Sequence, residues 1–249
     1  MIRLDDIVKD YRGPLMGLRG KPVRALDGVT LRVAAGTALG IIGLNGAGKS
    51  TLLRLLLGYL RPTSGEVRIG ELDPRTYAER NGVSYVPERV AIPPDRTVRT
   101  AMEAYAMLGN AGEDAPERVD RALARLGLTD LSDRKVGALS KGNLQRVAIA
   151  QTLLAERRLM VLDEPTDGLD PVWIAELRRI VAEWRAADAD RVLIVASHNL
   201  PEVERLADRV VVLHEGRVRE EIALGAGRGA SPSLEDRFLR LVAGWSDAA

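Results

Sequence analysis

Apolar residues follow two rhythms along this chain. Runs of strand length, alternating or continuous, occur at residues 2–8, 28–33, 39–42 and 66–69, from Leu159 to Leu162, in VLIVA at 192–196 and in VVVL at 210–213. Residues 97–108, 116–126 and 141–156 instead repeat apolar positions at helical spacing. The first rhythm predicts strands and the second amphipathic helices, because side chains alternate with period two on a strand and recur every 3.6 residues on a helix. Strands come first and a block of helices follows, after which strand and helix patterns alternate through 159–213. This order predicts an α/β protein. No internal repeat is visible, so the chain carries one such unit.

Composition narrows the setting. A chain of 249 residues, 46% of them hydrophobic, has enough apolar surface for a real core. Its longest apolar runs fall well short of the ~20 residues that a membrane helix needs. The start, MIRLDDIVKD, has acidic residues where a secretory signal needs an apolar core, so the chain is expected to stay in the cytoplasm. With no cysteine there can be no disulfide and no cysteine-ligated zinc. The 36 basic and 35 acidic side chains give a net charge of +1, which offers no global attraction to nucleic acid or anionic lipid. No nucleic-acid partner is expected.

Candidate chemistry begins at Gly43-Leu44-Asn45-Gly46-Ala47-Gly48-Lys49-Ser50, which fits G-x-x-x-x-G-K-[ST]. The β-like run ALGII precedes it and the helix-favouring LLRLLLG follows, which is the strand–loop–helix context the motif requires. Glycines let successive N–H groups turn inward around phosphate oxygens, and a helix beginning near Lys49 aims the positive end of its dipole at them. Lys49 can then reach the β- and γ-phosphates, and the Ser50 hydroxyl, beside Thr51, is placed to ligate Mg²⁺. A glycine-rich turn could match by chance, but in a chain of this length that happens on the order of one time in a hundred. The expected ligands are a nucleoside triphosphate and Mg²⁺.

RLMVLDEPTDGLDP at 158–171 supplies the acidic partner. Asp163 and Glu164 close a buried-strand pattern, at the carboxyl end where open α/β sheets bind ligands. Asp163 suits holding Mg²⁺, and Glu164 suits polarising the water that attacks the γ-phosphate. An isolated acidic pair would be read as a solvated turn; beside a phosphate loop the chemical reading is stronger. Between the two motifs, ALSKGNLQRVAIAQTLLAE reads as a capped helix. Leu144, Val147, Ala148, Gln151 and Leu154 form its apolar stripe, Ser140 is its N-cap and Gly142 lies close by.

Taken together these residues resemble the nucleotide-binding domain of ATP-binding cassette (ABC) transporters over nearly the whole chain. GLNGAGKS is similar to its Walker A, LSKGN to its signature, LMVLDE to its Walker B, GLD at 168–170 to its D-loop and SH at 197–198 to its switch histidine. The resemblance implies a P-loop NTPase fold: a RecA-like core, an antiparallel β subdomain at the front and an inserted α-helical subdomain at about 89–157. The cassette would span 1–225, with a linker and short helix at 226–249. It also implies a head-to-tail cassette dimer, here a homodimer, in which Ser140 and Gly142 face a γ-phosphate held by the other subunit. His198 would sense the γ-phosphate and help Glu164 hold the attacking water.

Departures from the pattern carry information. Lys141 and Asn143 replace the commoner Gly and Gln of the signature, and Lys141 either adds charge near phosphate or points to solvent. Glu88 stands where most relatives have the Q-loop glutamine; it can still bind Mg²⁺, and is similar to a subset of cassettes serving ABC-2-type exporters. Tyr11 is expected to stack on adenine, although a longer link than usual, residues 12–24, follows it. That link brings Arg12, Arg19, Lys21 and Arg24 together without an acid and predicts a local basic patch. The function implied is the ATP-hydrolysing subunit of an ABC transporter, peripheral on the cytoplasmic face of the membrane and bound to a separate transmembrane permease, with export favoured. A soluble mechanical ABC ATPase acting on ribosomes or DNA is the alternative. Finally, Leu234, Phe238, Leu241 and Val242 predict a C-terminal helix docked on its own domain.

Overall fold

The computed structural model describes residues 1–11, 22–109, 112, 114–224 and 232–246. They form two compact units, Met1–Arg80 with Val192–Ala249, and Asn81–Arg191. The first unit opens with β1 (Ile2–Tyr11), β2 (Val23–Val33), β3 (Ala38–Ile42), α1 (Lys49–Leu56), β4 (Ser64–Ile69) and α2 (Pro74–Asn81). Strands β2, β1 and β4 make an antiparallel sheet in that order, in register from Ile2↔Val33 to Tyr11↔Val23 on one side and from Ile2↔Ile69 on the other. Its buried positions Ile2, Leu4 and Ile7 break strict alternation. The cause is a bulge at Asp6, whose φ of 49° inserts one extra residue and re-aims Ile7 into the core.

The second unit contains β5 (Ser84–Val86), α3 (Val98–Leu108), α4 (Ala115–Arg125), α5 (Lys141–Ala150), β6 (Leu159–Asp163) and α6 (Pro171–Ala186). β5 and β6 pair in parallel, Val86 opposite Leu162. Side-chain caps start three of this unit's helices: Thr97 accepts from the Thr100 amide, Ser140 from Asn143, and Asp170 from both Val172 and Trp173. Each satisfies donors that a helix start otherwise leaves unpaired. The expected apolar stripe on α5 gives way to burial of every residue from Gln145 to Ala150, including the polar Gln145 and Arg146. Arg146 is kept by its guanidinium lying 4.2 Å over the Trp173 ring and by donating to Asn143 Oδ1 at 2.7 Å.

The chain then completes the first unit with β7 (Val192–Ala196), α7 (Leu200–Leu206), β8 (Arg209–His214), β9 (Arg217–Ala223) and α8 (Leu234–Ser246). β3 lies between β7 and β8, parallel to both, and β9 returns antiparallel to β8. Every residue of β3 and β7 is buried, as continuous apolar strands covered on both faces must be. α8 docks on its own unit, as its pattern predicts: Leu234 and Phe238 are buried, Trp245 stacks on His214 with ring centroids 3.9 Å apart, and Arg237 bonds Glu220. Among the described residues no helix is long and apolar enough to cross a membrane.

Candidate functional site: a phosphate loop and an acidic strand end

β3 delivers its backbone into residues 43–48, and α1 leaves at Lys49. Gly46 and Gly48 have φ of 81° and 108°, values that turn the backbone amides inward and that side chains other than glycine resist. Gly48 has a second reason to be glycine: a Cβ there would stand 2.6 Å from the Ala25 carbonyl oxygen. No side chain caps α1, so its leading N–H groups are offered to whatever docks at the loop. Leu52, Leu53, Leu55 and Leu56 anchor the helix on the core, each contributing about 1.5–3 kcal/mol by burial. A charged residue at Leu53 would break that anchor.

The other expected residues of this unit gather around the loop. Lys49 Nζ donates to the Gly43 carbonyl at 2.7 Å and to Leu44 at 3.3 Å, so the ammonium lies across the mouth of the loop. The Ala47 amide closes onto the Leu44 carbonyl at 3.1 Å, while Asn45 and Gly46 stay exposed. Ser50 and Thr51 are half-buried in the first turn of α1. Tyr11, the last residue of β1, has its hydroxyl 3.3 Å from Thr51 Oγ1, which pins the aromatic ring beside the loop. Ile41 of β3 pairs with Ala196 of β7, and Gly43 and His198 each lie two residues beyond that pair. His198 therefore emerges, exposed, on a strand adjoining the one that feeds the loop.

The second unit repeats this logic with acids. Val86 pairs with Leu162, and two steps beyond that pair lie Glu88 and Glu164. Asp163 ends β6 and is only 7% exposed. Glu164 takes the left-handed conformation, φ 48°. Gln151 Nε2 donates to the Tyr85 carbonyl and so ties the turn after α5 to the strand that leads to Glu88. Ser140 Oγ accepts from the Asn143 amide at 3.2 Å, and Gly142 occupies the first turn of α5. Lys141 is paired within its own chain: Nζ is 2.6 Å from Asp167 Oδ2.

The basic link divides. Arg12, Arg19 and Lys21 lie outside the described residues. Arg24 belongs to β2 and is held by Asp10 at 2.9 Å and Asp27 at 3.0 Å, so it adds no free cation to a patch. Two polar residues that sequence reasoning passed over, Gln145 and Asp167, prove to be structural partners of the signature and acidic segments.

A family model described as ABC transporter matches residues 26–167, over half of the chain. The chain belongs to the ABC transporter family. Members of this family are ATP-binding cassettes that hydrolyse ATP to power transport. Over 203 residues the chain is 37% identical to the bacitracin transport ATP-binding protein BcrA of Bacillus licheniformis, covering 80% of this chain and 65% of that protein. It is 39% identical over 216 residues to the zinc import ATP-binding protein ZnuC of Cereibacter sphaeroides, covering 86% and 81%. The chain thus spans just under two thirds of the length of BcrA. Among solved structures, a dimeric ATP-binding cassette in a post-hydrolysis state bound to ADP and Pi superposes with a TM-score of 0.81 at 26% identity, covering 91% of this chain and 100% of that one. The fold of this cassette is that of the P-loop NTPases, with its antiparallel β sheet and α-helical portion.

Proposed function

We propose that this cassette is the ATPase subunit of an ABC transporter, working as a homodimer that drives export through a separate transmembrane permease from the cytoplasmic face of the membrane. The observation that carries the reading is the Gly43–Thr51 loop, with left-handed glycines and an uncapped helix start behind it. In this reading residues 1–225 are the cassette, about 89–157 its helical insertion and 226–249 an accessory tail.

The roles follow from the donors present. Gly43, Asn45, Gly46, Ala47, Gly48 and Thr51 wrap the phosphates through the backbone, Lys49 neutralises the β- and γ-phosphates, and Tyr11 stacks on the base. Ser50, Asp163 and Glu88 are oxygen donors of the kind a hard cation takes alongside phosphate oxygens, and so fit Mg²⁺. The ion would supply charge neutralisation on the phosphates. Glu164 accepts the proton of the attacking water, and His198 orients that water. Ser140 and Gly142 serve the nucleotide of the other subunit. Glu88, in place of glutamine, is what favours export.

The test pairs two measurements. Purified chain should hydrolyse Mg-ATP, and from its native membrane it should co-purify with a polytopic protein that, in vesicles, moves substrate from the cassette side to the opposite side. Accumulation of substrate on the cassette side would reverse the direction, and absence of any membrane partner would remove the transport reading.

A further inference from the structure

Glu164 adopts a backbone conformation that L residues hold only where their surroundings over-determine it. The turn that follows it bonds to itself twice, from the Asp167 amide to the Glu164 carbonyl at 3.2 Å and from Leu169 to Thr166 at 3.1 Å. It then runs into Asp170, the cap of α6. These bonds shape the turn but do not fasten it to the core of its unit.

α5 adds fastening to it. Gln145 is 4% exposed, and its Nε2 donates to the Pro165 carbonyl at 3.0 Å. Lys141 donates to Asp167, and its stem lies along Gly168, where an added Cβ would come within 2.9 Å of Lys141 Cγ. A Cβ on Gly142 would stand 2.6 Å from the Gly168 carbonyl oxygen, so here helix and turn meet backbone to backbone. Residues 141, 142 and 145 share one side of α5, since positions four apart stack on a helix. A lysine in the first turn opposes the helix dipole. Its place is therefore not explained by helix stability, whereas the bond to Asp167 does explain it.

We propose that Lys141 and Gln145 are positioning residues for ATP hydrolysis: they lash the first turns of α5 to residues 165–168 and thereby hold Glu164 in its left-handed conformation. The inference rests on the role assigned to Glu164 above. It makes the signature helix and the hydrolytic carboxylate one mechanical unit within each chain. Loosening it should disturb the chemical step and leave capture of ATP intact, so the loss falls on kcat and not on KM.

The experiment uses the full chain with Lys141→Gln, Asp167→Asn, Gln145→Met, and the reciprocal exchange of Lys141→Asp with Asp167→Lys. Steady-state ATP hydrolysis and amide hydrogen exchange across residues 164–169 are both read. Each single charge variant should lower kcat about threefold at constant KM and speed exchange by a similar factor, as befits a largely exposed pair. Gln145→Met keeps the bulk but strands the Pro165 carbonyl, and should cost about tenfold in both readouts. The exchanged pair should recover most of the loss. If Lys141 acted on phosphate directly, an acid at that position would be worse than either single variant, and that outcome overturns the proposal. Unchanged exchange in the single variants and in Gln145→Met overturns it as well. A wild-type chain without ATPase activity would defeat only the functional reading, since the exchange measurement still decides whether α5 holds the turn.

Discussion

Helices α1 and α5 both begin where phosphate is proposed to dock, and they begin in opposite ways. α1 follows Gly48 in a left-handed conformation with no side-chain cap. α5 follows an extended Ser140 whose hydroxyl already takes the Asn143 amide. Lys49 rests on carbonyls of its own loop, whereas Lys141 is committed to a carboxylate. An anion cradle needs unspent donors and a mobile cation. A helix that completes a site built elsewhere can spend a donor on its own cap and its cation on its own chain. On the proposed function, nucleotide affinity would belong to the first start and turnover to the second unit.

Breaking that division takes substitutions on each side. Glu164→Gln should show the largest effect, a fall in kcat of about 10²–10⁴-fold with ATP affinity retained, read by phosphate release and nucleotide titration. It should also trap the dimer, so that sedimentation in Mg-ATP shows a pair that disperses in ADP. Lys49→Ala should weaken ATP binding about 10- to 100-fold, the cost of losing a charge-assisted contact. Ser140→Ala should instead cost about 1 kcal/mol of stability in chemical denaturation, through its lost cap, and leave ATP binding by the isolated subunit unchanged. Equal losses of affinity in Lys49→Ala and Ser140→Ala would collapse the distinction between the two starts.

The frame behind α1 sharpens the comparison with smaller effects. Trp245→Ala removes the stack on His214 and should cost ~1 kcal/mol, a drop of roughly 2–4 °C in unfolding temperature, with a smaller loss of ATP affinity than Lys49→Ala. Asp27 is held below the usual carboxylate range, first by its hydrogen bond from Arg217. A depressed carboxylate stabilises the fold fully above its unfolded pKa and loses that contribution as pH falls through its folded one. Asp27→Asn should therefore lower stability modestly at neutral pH, with the difference from the unsubstituted chain vanishing as pH falls through the folded pKa of Asp27, so that the acid limb flattens.

Contiguous chemistry was the most legible part of the chain. Gly43–Thr51 and Asp163–Glu164 each carry their meaning in adjacent residues, and the strands that present them are unbroken apolar runs. α2 and β9 left little trace, because PRTYAERN buries only Tyr77 and RVREEIA only Ile222. Gln145 and Arg146 were hidden for another reason. Helical periodicity assigns polar residues to the solvent face, yet here a carbonyl 20 positions away and an indole ring repay their burial. Likewise, spacing alone could not show that Asp167 reserves Lys141, or that Asp10 and Asp27 neutralise Arg24.

The tight turn between β8 and β9 reaches further than its size suggests. Gly216, at φ 73°, donates its amide to the Ala47 carbonyl of the phosphate loop and accepts from the Asp27 amide. Just before it stands His214, against which Trp245 of the last helix leans. For molecular engineering this makes α8 a poor place for an inert handle, since a label on it bears on the turn that bonds the loop proposed to hold phosphate. The same chain of contacts is an opportunity, since a light- or ligand-gated module grafted onto α8 would have a mechanical route to the loop proposed to hold phosphate.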